Sequence, residues 1–268
     1  MNEVVKDVIN PHHLEKFSGL IRGRIPGKLS SHSLAIGDHL LFFNALNRTI
    51  GRDGYFDHQS PKNLLKDPRY EYLRRVWAKG QIELLRPLSL GQEYACRESL
   101  KFIKRIRGDH YVCLERLIVG SNGESLLREL RTLAYTNSPP RTRNATETAV
   151  RNGASLGTFT FRDLDIIIYG QLSCNPHRIH WDRRYSQAVE GYRDIIVQGP
   201  FALQVLLKFA EDAIGSSITK VEYRNYNYIY PDTEVEVNLL PGQGQYRVCM
   251  NDARRPEVMF VQAVVSCQ

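Results

Sequence analysis

Two patterns of hydrophobic and polar positions recur along this chain. Period-two alternation and short apolar runs predict β-strands, whereas apolar residues three and four positions apart predict helices. The strand-like stretches fall into two groups separated by a polar region. The first group covers residues 76–85, 93–106, 110–120 and 125–135, and the second covers 157–161, 218–230, 234–239, 245–250 and 258–265.

Helical patterns accompany both groups. Residues 14–25 are amphipathic, 38–50 predict a short buried helix, and 162–172 predict another. The helix predicted at 200–213 has almost no polar face, so it must be buried on all sides. Pro200 suits its first position, where a missing amide hydrogen costs nothing. An antiparallel sheet curled around this helix would bury it.

A polar segment at 137–153 divides the chain. It contains a Pro-Pro pair and no apolar periodicity, as expected of a linker. We therefore predict a first unit at 1–138, a linker at 139–153 and a second unit at 154–268. Because a helix followed by antiparallel strands recurs in both units, the sequence predicts a duplicated α+β unit.

The composition narrows the class of protein. The hydrophobic fraction of 42% is typical of a folded chain, and the apolar runs are too short to cross a bilayer. We see no secretory signal in the first residues. The 5 cysteines are odd in number and lack metal-ligand spacing, which indicates reduced intracellular thiols. The net charge of +7 favours a polyanionic partner, either nucleic acid or a phosphate-bearing carrier.

The candidate chemistry lies between residues 169 and 200. His177 and His180 stand close to Asn175, and an imidazole is the usual general acid or base near neutral pH. Gly199 opens the buried helix, where unpaired amides could stabilise an oxyanion. Read alone, each histidine could be a surface or core residue, and Gly199 could be a plain turn glycine.

Two other kinds of site, a metal site and a cysteine nucleophile, have weaker support in the sequence. His177 and His180 could begin a metal site, but no nearby cysteine or carboxylate pattern completes a tetrahedral set, so we predict no metal. Cys174 could be a nucleophile beside His177, yet no orienting acid follows from the sequence. We also predict no cofactor.

Four segments carry a family resemblance. Residues 174–182 read CNPHRIHWD, 188–192 read AVEGY, 197–200 read VQGP and 74–94 read RRVWAKGQIELLRPLSLGQEY. These resemble the MaoC-like hydratase and dehydratase family. Within it they are similar to the branch that includes mesaconyl-C4-CoA hydratase and the type 2 hydroxyacyl-thioester dehydratases.

This resemblance implies a fold and a reaction. The fold is a double hotdog, two central helices each wrapped by an antiparallel sheet, with a non-catalytic first unit. The reaction is reversible hydration of an enoyl thioester carried by coenzyme A or an acyl carrier protein. The resemblance also implies a protein in the cytoplasm or mitochondria that binds neither nucleic acid nor membrane, and it is compatible with a homodimer.

The resemblance also assigns residues. His180 falls on the family histidine as general acid/base, and the Gly199 amide polarises the thioester carbonyl. Asn175 stands where the broader family has an aspartate, and His177 where it has an asparagine. Asn175 cannot accept a proton, so its amide orients a water or hydroxyl while His177 assists His180. The residues expected to contact the substrate are Tyr169, Trp181, Tyr192 and Gln198.

Other functions stay open from the residues alone. The hotdog scaffold could bind a thioester without turning it over, which an intact acyl tunnel with no activity would reveal. The positive charge could serve nucleic-acid binding. A thioesterase on the same fold is excluded only by the resemblance.

Overall fold

The structure is a computed structural model that describes residues 2–25, 33–44, 49–142 and 153–267. In these ranges the strands form a single sheet of ten, in the order β1-β3-β4-β5-β2-β7-β10-β9-β8-β6. Every neighbouring pair is antiparallel. The strands are β1 (Asn2–Val8), β2 (Arg74–Leu84), β3 (Glu93–Ile106), β4 (Asp109–Val119), β5 (Ser125–Thr136), β6 (Ala154–Thr160), β7 (Ile218–Asn225), β8 (Glu234–Pro241), β9 (Tyr246–Asp252) and β10 (Met259–Cys267).

Five α-helices accompany the sheet in the described ranges. They are α1 (Pro11–Ile21), α2 (Pro61–Leu64), α3 (Asp163–Leu172), α4 (Arg183–Ala188) and α5 (Gly199–Ile214). Short 3-10 turns occur at Asp38–Leu41, Asp57–Gln59, Pro68–Tyr70 and Arg178–His180. None of the helices in the described part of the chain is long and apolar enough to cross a membrane.

The two halves join at one strand pair. β2 closes the first group of strands and pairs with β7 of the second group, from Lys79 opposite Arg224 to Glu83 opposite Lys220. Gly80 allows this close approach, because a Cβ there would lie 2.3 Å from the hydroxyl oxygen of Tyr223 on β7. The sheet is therefore continuous across both halves.

Helix α5 lies in the core, as its apolar sequence predicts. Its residues from 201 to 210 are all buried, and it packs against β6, β7, β8 and β9. Gly215 ends the helix in the left-handed conformation, with φ 68°. The second half is thus a helix wrapped by an antiparallel sheet.

The helix predicted at 38–50 is wrong where the structure describes it. Only Asp38–Leu41 is helical, as a 3-10 turn, and Phe43 has a positive φ of 59° that ends it. The backbone of Phe43 has partners outside a helix, since its N–H donates to Asp7 Oδ2 (2.8 Å) and its carbonyl accepts from Arg116 (2.8 Å). Residues 45–48 lie outside the described ranges.

Smaller differences concern the boundaries of elements. β1 and α4 were not predicted, and β7 ends at Asn225, whereas the prediction extended to residue 230. Residues 143–152 of the predicted linker lie outside the described ranges. The proposed unit boundaries therefore stay a prediction.

Candidate active site

A tight turn after α3 positions the candidate polar residues. Cys174 has a positive φ of 49°, and the Asn175 N–H donates to Gly170 O (2.8 Å). Asn175 Oδ1 then accepts a hydrogen bond from the His177 N–H (3.1 Å). Such side-chain turns are typical of asparagine. This hydrogen bond occupies the side-chain oxygen of Asn175, and the side-chain NH2 group remains available to donate.

His180 is a buried, neutral imidazole. Its Nδ1 lies 2.7 Å from Ile196 O, and because a carbonyl can only accept, Nδ1 carries the proton and Nε2 has the free lone pair. Burial lowers the pKa of His180 to about 3, and the neighbouring His177 adds to this effect. The ring is therefore unprotonated at Nε2 throughout the neutral pH range.

His177 lies beside His180 and is equally well covered. The two ring centroids are 5.4 Å apart, with the ring planes nearly perpendicular. Nε2 of His177 lies 3.6 Å from Asp53 Oδ2 and 3.8 Å from Glu190 Oε1. The predicted pair of histidines is thus a real pair, with carboxylates on one side.

Gly199 lies at the point where α5 begins, against the seam between the halves. No side-chain hydrogen bond caps this end of the helix, so its first amide groups are free of a side-chain acceptor. A Cβ at Gly199 would lie 2.6 Å from Trp77 Cε3 and 3.1 Å from Asn225 Nδ2. Close packing therefore requires glycine here and brings the exposed amide to the β2–β7 junction.

One large cavity unites these groups. It has a volume of about 730 Å³ and lies between the halves, with Trp77 of β2 and Asn225 of β7 in its wall. Asn175, His177, His180 and Gly199 all line it. Its basic lining residues are Arg75, Lys79, Lys104, Arg131, Arg141 and Arg224.

A second cavity, of about 430 Å³, lies next to His180 and Asn175. Ile166, Ile167 and Phe56 give it a mainly apolar wall. Because His180 and Asn175 line both cavities, the two spaces meet at the candidate catalytic residues.

Comparison with known proteins places this geometry in a family. The family model described as hydroxyacyl-thioester dehydratase type 2 matches residues 37–231. A mitochondrial hydroxyacyl-thioester dehydratase type 2 of Saccharomyces cerevisiae is 40% identical, over 98% of this chain and 98% of the relative. The chain belongs to the hydroxyacyl-thioester dehydratase type 2 family. This confirms the predicted hydro-lyase chemistry on an acyl thioester.

Solved structures support the fold of this hydroxyacyl-thioester dehydratase. A MaoC-like dehydratase from Phytophthora capsici superposes with a TM-score of 0.74 at 12% identity, covering 100% of this chain and 95% of that one. A Mycobacterium tuberculosis protein described as a double hotdog matches with a TM-score of 0.58 at 10% identity, covering 99% and 95%. The predicted α+β double hotdog is confirmed.

The residues expected to contact substrate fall in different places. Tyr169 is in the core: it is fully buried, stacks on Phe201 at 4.5 Å and donates to Gln204 (2.6 Å). It lines neither cavity, so its predicted contact with substrate is not supported. An apolar ring on the inner face of α3 packs better in the core than at the cavity.

Trp181 and Gln198 line the second cavity of the dehydratase. Trp181 is 54% exposed, and its Nε1 donates to Pro176 O (3.0 Å). Gln198 is buried and donates to Ile166 O (2.8 Å). Tyr192 is buried behind the wall of the main cavity, with its ring 4.8 Å from that of Tyr228. Their roles in binding stay predictions.

Sequence reasoning missed three charged residues near His177. Asp53 lies between the helix predicted at 38–50 and the strand predicted at 76–85, and Arg75 directly precedes that predicted strand. Glu190 lies within the AVEGY motif, and a carboxylate in an otherwise apolar and small-residue motif was a usable signal. For Asp53 no local signal existed, because its partner is more than a hundred positions away in the chain.

Neither metal binding nor thiol chemistry gains support at this site. In the described residues, one group with metal-like spacing is Glu3, His58 and Glu98. Glu98 already contacts Arg116 (3.2 Å) and accepts from Gln59 (2.9 Å). Burial raises the pKa of the Cys174 thiol, with Asp7 adding to the effect, which disfavours a nucleophilic thiolate.

Proposed function

We propose that this hydroxyacyl-thioester dehydratase eliminates water from a 3-hydroxyacyl thioester, and catalyses the reverse hydration, at the junction of the two cavities. His180 removes the proton next to the carbonyl. The Gly199 amide stabilises the negative charge that develops on the thioester oxygen. The electron pair of the broken C–H bond forms the carbon–carbon double bond as the C–O bond breaks. The departing hydroxide, oriented by the Asn175 amide, takes a proton from the His177–His180 pair and leaves as water.

The hydrogen bond from His180 Nδ1 to Ile196 O is the observation that carries this proposal. It selects the tautomer in which Nε2 is unprotonated, and it orients the ring with respect to the cavity. A base buried in a neutral state needs no proton loss before it acts. Positioned acid/base groups of this kind typically contribute roughly a hundred- to ten-thousandfold.

The start of α5 supports the second role. An uncapped helix N-terminus carries partial positive charge on its free amides. Gly199 itself lines the main cavity, which places this helix start beside the space for the thioester. Stabilisation of an oxyanion by such a donor is worth roughly a hundred- to a thousandfold in rate.

The cross-strand pair Lys79 and Arg224 supports a phosphate-bearing handle on the substrate. These two cations lie directly opposite each other at the β2–β7 seam, and both line the main cavity. Like charges in that position destabilise a sheet unless an anion neutralises them. Coenzyme A and the phosphopantetheine arm of an acyl carrier protein both carry phosphate at the end of the pantetheine arm opposite the thioester.

A mitochondrial location completes the proposal. It is supported by the name of the Saccharomyces cerevisiae relative, which is a mitochondrial protein. Fluorescence microscopy of the full-length tagged chain against a mitochondrial marker tests it.

His180→Gln tests the assignment of the base. We expect the variant to lose roughly a hundredfold or more of kcat, measured with 3-hydroxyacyl and enoyl thioesters in both directions. His12→Gln is the control, because His12 is an exposed histidine of α1 far along the chain from the site. Retention of most activity by His180→Gln would remove the assignment.

Calorimetric measurement of product binding distinguishes the enzyme from the remaining alternative, a protein that binds thioesters without turning them over. A catalyst should bind the product and turn over its precursor. Wild-type protein that binds thioesters tightly but turns over none of a range of chain lengths would be a binding protein.

A further inference from the structure

His177 is held between two carboxylates that come from outside its own loop. Its side chain is 7% exposed, and Nε2 is buried. Asp53 reaches it from the first half of the chain at 3.6 Å, and Glu190 reaches it from the segment after α4 at 3.8 Å. Both distances are within ion-pair range, so Nε2 points toward two carboxylates.

Asp53 is anchored in place by several contacts. Arg75 donates to Oδ2 (2.6 Å), and the Tyr55 N–H donates to Oδ1 (3.1 Å). The Asp53 carbonyl oxygen accepts from the Arg178 N–H (2.9 Å), which ties this loop to the histidine loop. Gly54, with φ +77°, allows the contact, because a Cβ there would lie 2.9 Å from Pro176 O.

The carboxylate of Asp53 is ionised. Burial would raise its pKa, but Arg75 and then His177 outweigh burial, so the pKa of Asp53 lies below its ordinary value. Asp53 therefore presents a full negative charge to His177 at neutral pH.

Glu190 is the second carboxylate beside His177, and its side chain is fully buried. The Tyr185 phenol hydrogen-bonds to it, and burial, followed by the Glu190 charge, raises the pKa of that phenol. A buried carboxylate with one phenolic donor is still costly unless a cation compensates it. Protonated His177 is suited to that purpose.

We infer that Asp53 and Glu190 are positioning residues that keep His177 protonated and aim its Nδ1 at the substrate, so that His177 is the acid of the reaction. This inference rests on the proposed dehydratase function of the site. It gives the first half of the chain a part in catalysis, through Asp53.

The proton balance is complete with two histidines. The C–H bond breaks, its proton passes to His180 Nε2 and its electron pair forms the carbon–carbon double bond, while the C–O bond breaks and its electron pair leaves with oxygen. The Nδ1 proton of His177 joins that oxygen and forms water. The proton on His180 returns to His177 before the next turnover, across ring centroids 5.4 Å apart. Hydration follows the same steps in reverse.

The groups around His177 favour one distribution of protons between His177 and His180. The neutral ring of His180 and the ring of Tyr55, both in the wall of the main cavity, lie 5.4 Å and 5.8 Å from the His177 ring. Arg75 is a nearby permanent cation and is paired with Asp53, whereas Arg74 donates to the backbone oxygen of Glu190. Adjacent imidazoles repel a second proton, so one ring holds a proton while the other is free to accept one.

Asp53→Asn and Glu190→Gln test the inference. We expect each to lower kcat by roughly ten- to a hundredfold with little change in KM, since they act on the proton transfer and not on binding. The alkaline limb of the kcat–pH profile should move to lower pH, because a proton beside fewer negative charges is lost more easily.

Glu115→Gln is the matched control. Glu115 is also in the first half and also contacts an arginine at 2.6 Å, but it lines neither cavity. Its substitution should leave kcat and the pH profile unchanged. In an Asp53→Asn/His177→Gln double variant, the Asp53 substitution should add little further loss, because Asp53 acts through His177.

An NMR titration of the His177 ring separates this inference from the proposed function. The midpoint should fall in Glu190→Gln and in Asp53→Asn relative to wild type, whether or not any thioester is turned over. Glu190→Gln leaves the Arg75 ion pair intact, so it decides the matter if Asp53→Asn does not fold. An unchanged midpoint, or fully additive losses in the double variant, would overturn the inference even in an active enzyme.

Discussion

At the scale of single residues, the catalytic proposal depends on burying an imidazole that remains neutral. The free histidine titrates near 6.5, whereas burial and then His177 lower the pKa of His180 to about 3. Between these values the unfolded chain binds a proton that the folded protein does not bind. The free energy of unfolding must therefore fall as the pH falls through this window. Burying the neutral base therefore lowers the free energy of unfolding at acidic pH.

This cost is measurable with His180→Gln. Lowering the pH from about 7 to about 5 should destabilise the wild type by ~2 kcal/mol through His180 alone. The glutamine variant lacks that contribution, and its amide can still donate to Ile196 O. Denaturant titrations at both pH values give the difference, with the exposed His12→Gln variant as control. Equal pH dependence of wild type and His180→Gln would mean that His180 is not buried in its neutral form.

The sequence predicts some residues of the site and misses others. Asn175, His177, His180 and Gly199 do line one cavity. Short spacing keeps the first three together, and the contact between His180 and Ile196 O holds the segment before Gly199 beside them. Asp53 was out of reach, since its contact with His177 depends on the docking of one half of the chain against the other. Local sequence carries no information about such a contact.

At the scale of elements, the sequence predicts those strands and helices whose own pattern of apolar and polar residues decides their structure. The alternating strands and the wholly apolar α5 appeared as predicted. The segment 38–50 did not, because its apolar residues at positions 40–43 are buried without an α-helix. Asp38 instead contacts Lys208 of α5 at 2.9 Å, and the backbone of Phe43 binds Asp7 and Arg116. Tertiary contacts there outweighed local propensity.

Helix α3 gives a prediction about the acyl chain. Ile167 lies on the wall of the apolar cavity that meets His180, and we expect that cavity to hold the substrate tail. Ile167→Trp should fill part of it and lower kcat/KM for long-chain thioesters by roughly tenfold or more relative to short ones. Kinetics with a series of chain lengths measure the change.

The same helix offers the control for that measurement. Leu164 is 64% exposed and lines neither cavity, so Leu164→Trp should leave the chain-length preference unchanged. A uniform loss across all chain lengths in Ile167→Trp would argue that the tail binds elsewhere.

At the scale of the whole molecule, the two halves share one sheet and one core. The main core cluster contains Ile82 and Leu127 of the first half together with Val221 and Phe201 of the second. Asp38 and Lys208 form a buried ion pair between the halves, with side chains 9% and 7% exposed. The apparent duplication in the sequence therefore does not predict two independent folding units.

The two tryptophans allow a direct test of whether the two halves unfold together. Trp77 is in β2 of the first half and Trp181 is in the histidine loop of the second, and the sequence has 2 tryptophans in all. Trp77→Phe and Trp181→Phe each leave a single reporter. Because the halves share core and sheet, both should give coincident denaturant midpoints after correction for each variant's stability by circular dichroism. Trp181 unfolding at clearly lower denaturant than Trp77, with two steps in circular dichroism, would show that the halves unfold separately. In that case the contact between Asp53 and His177 would be broken before the first half unfolds.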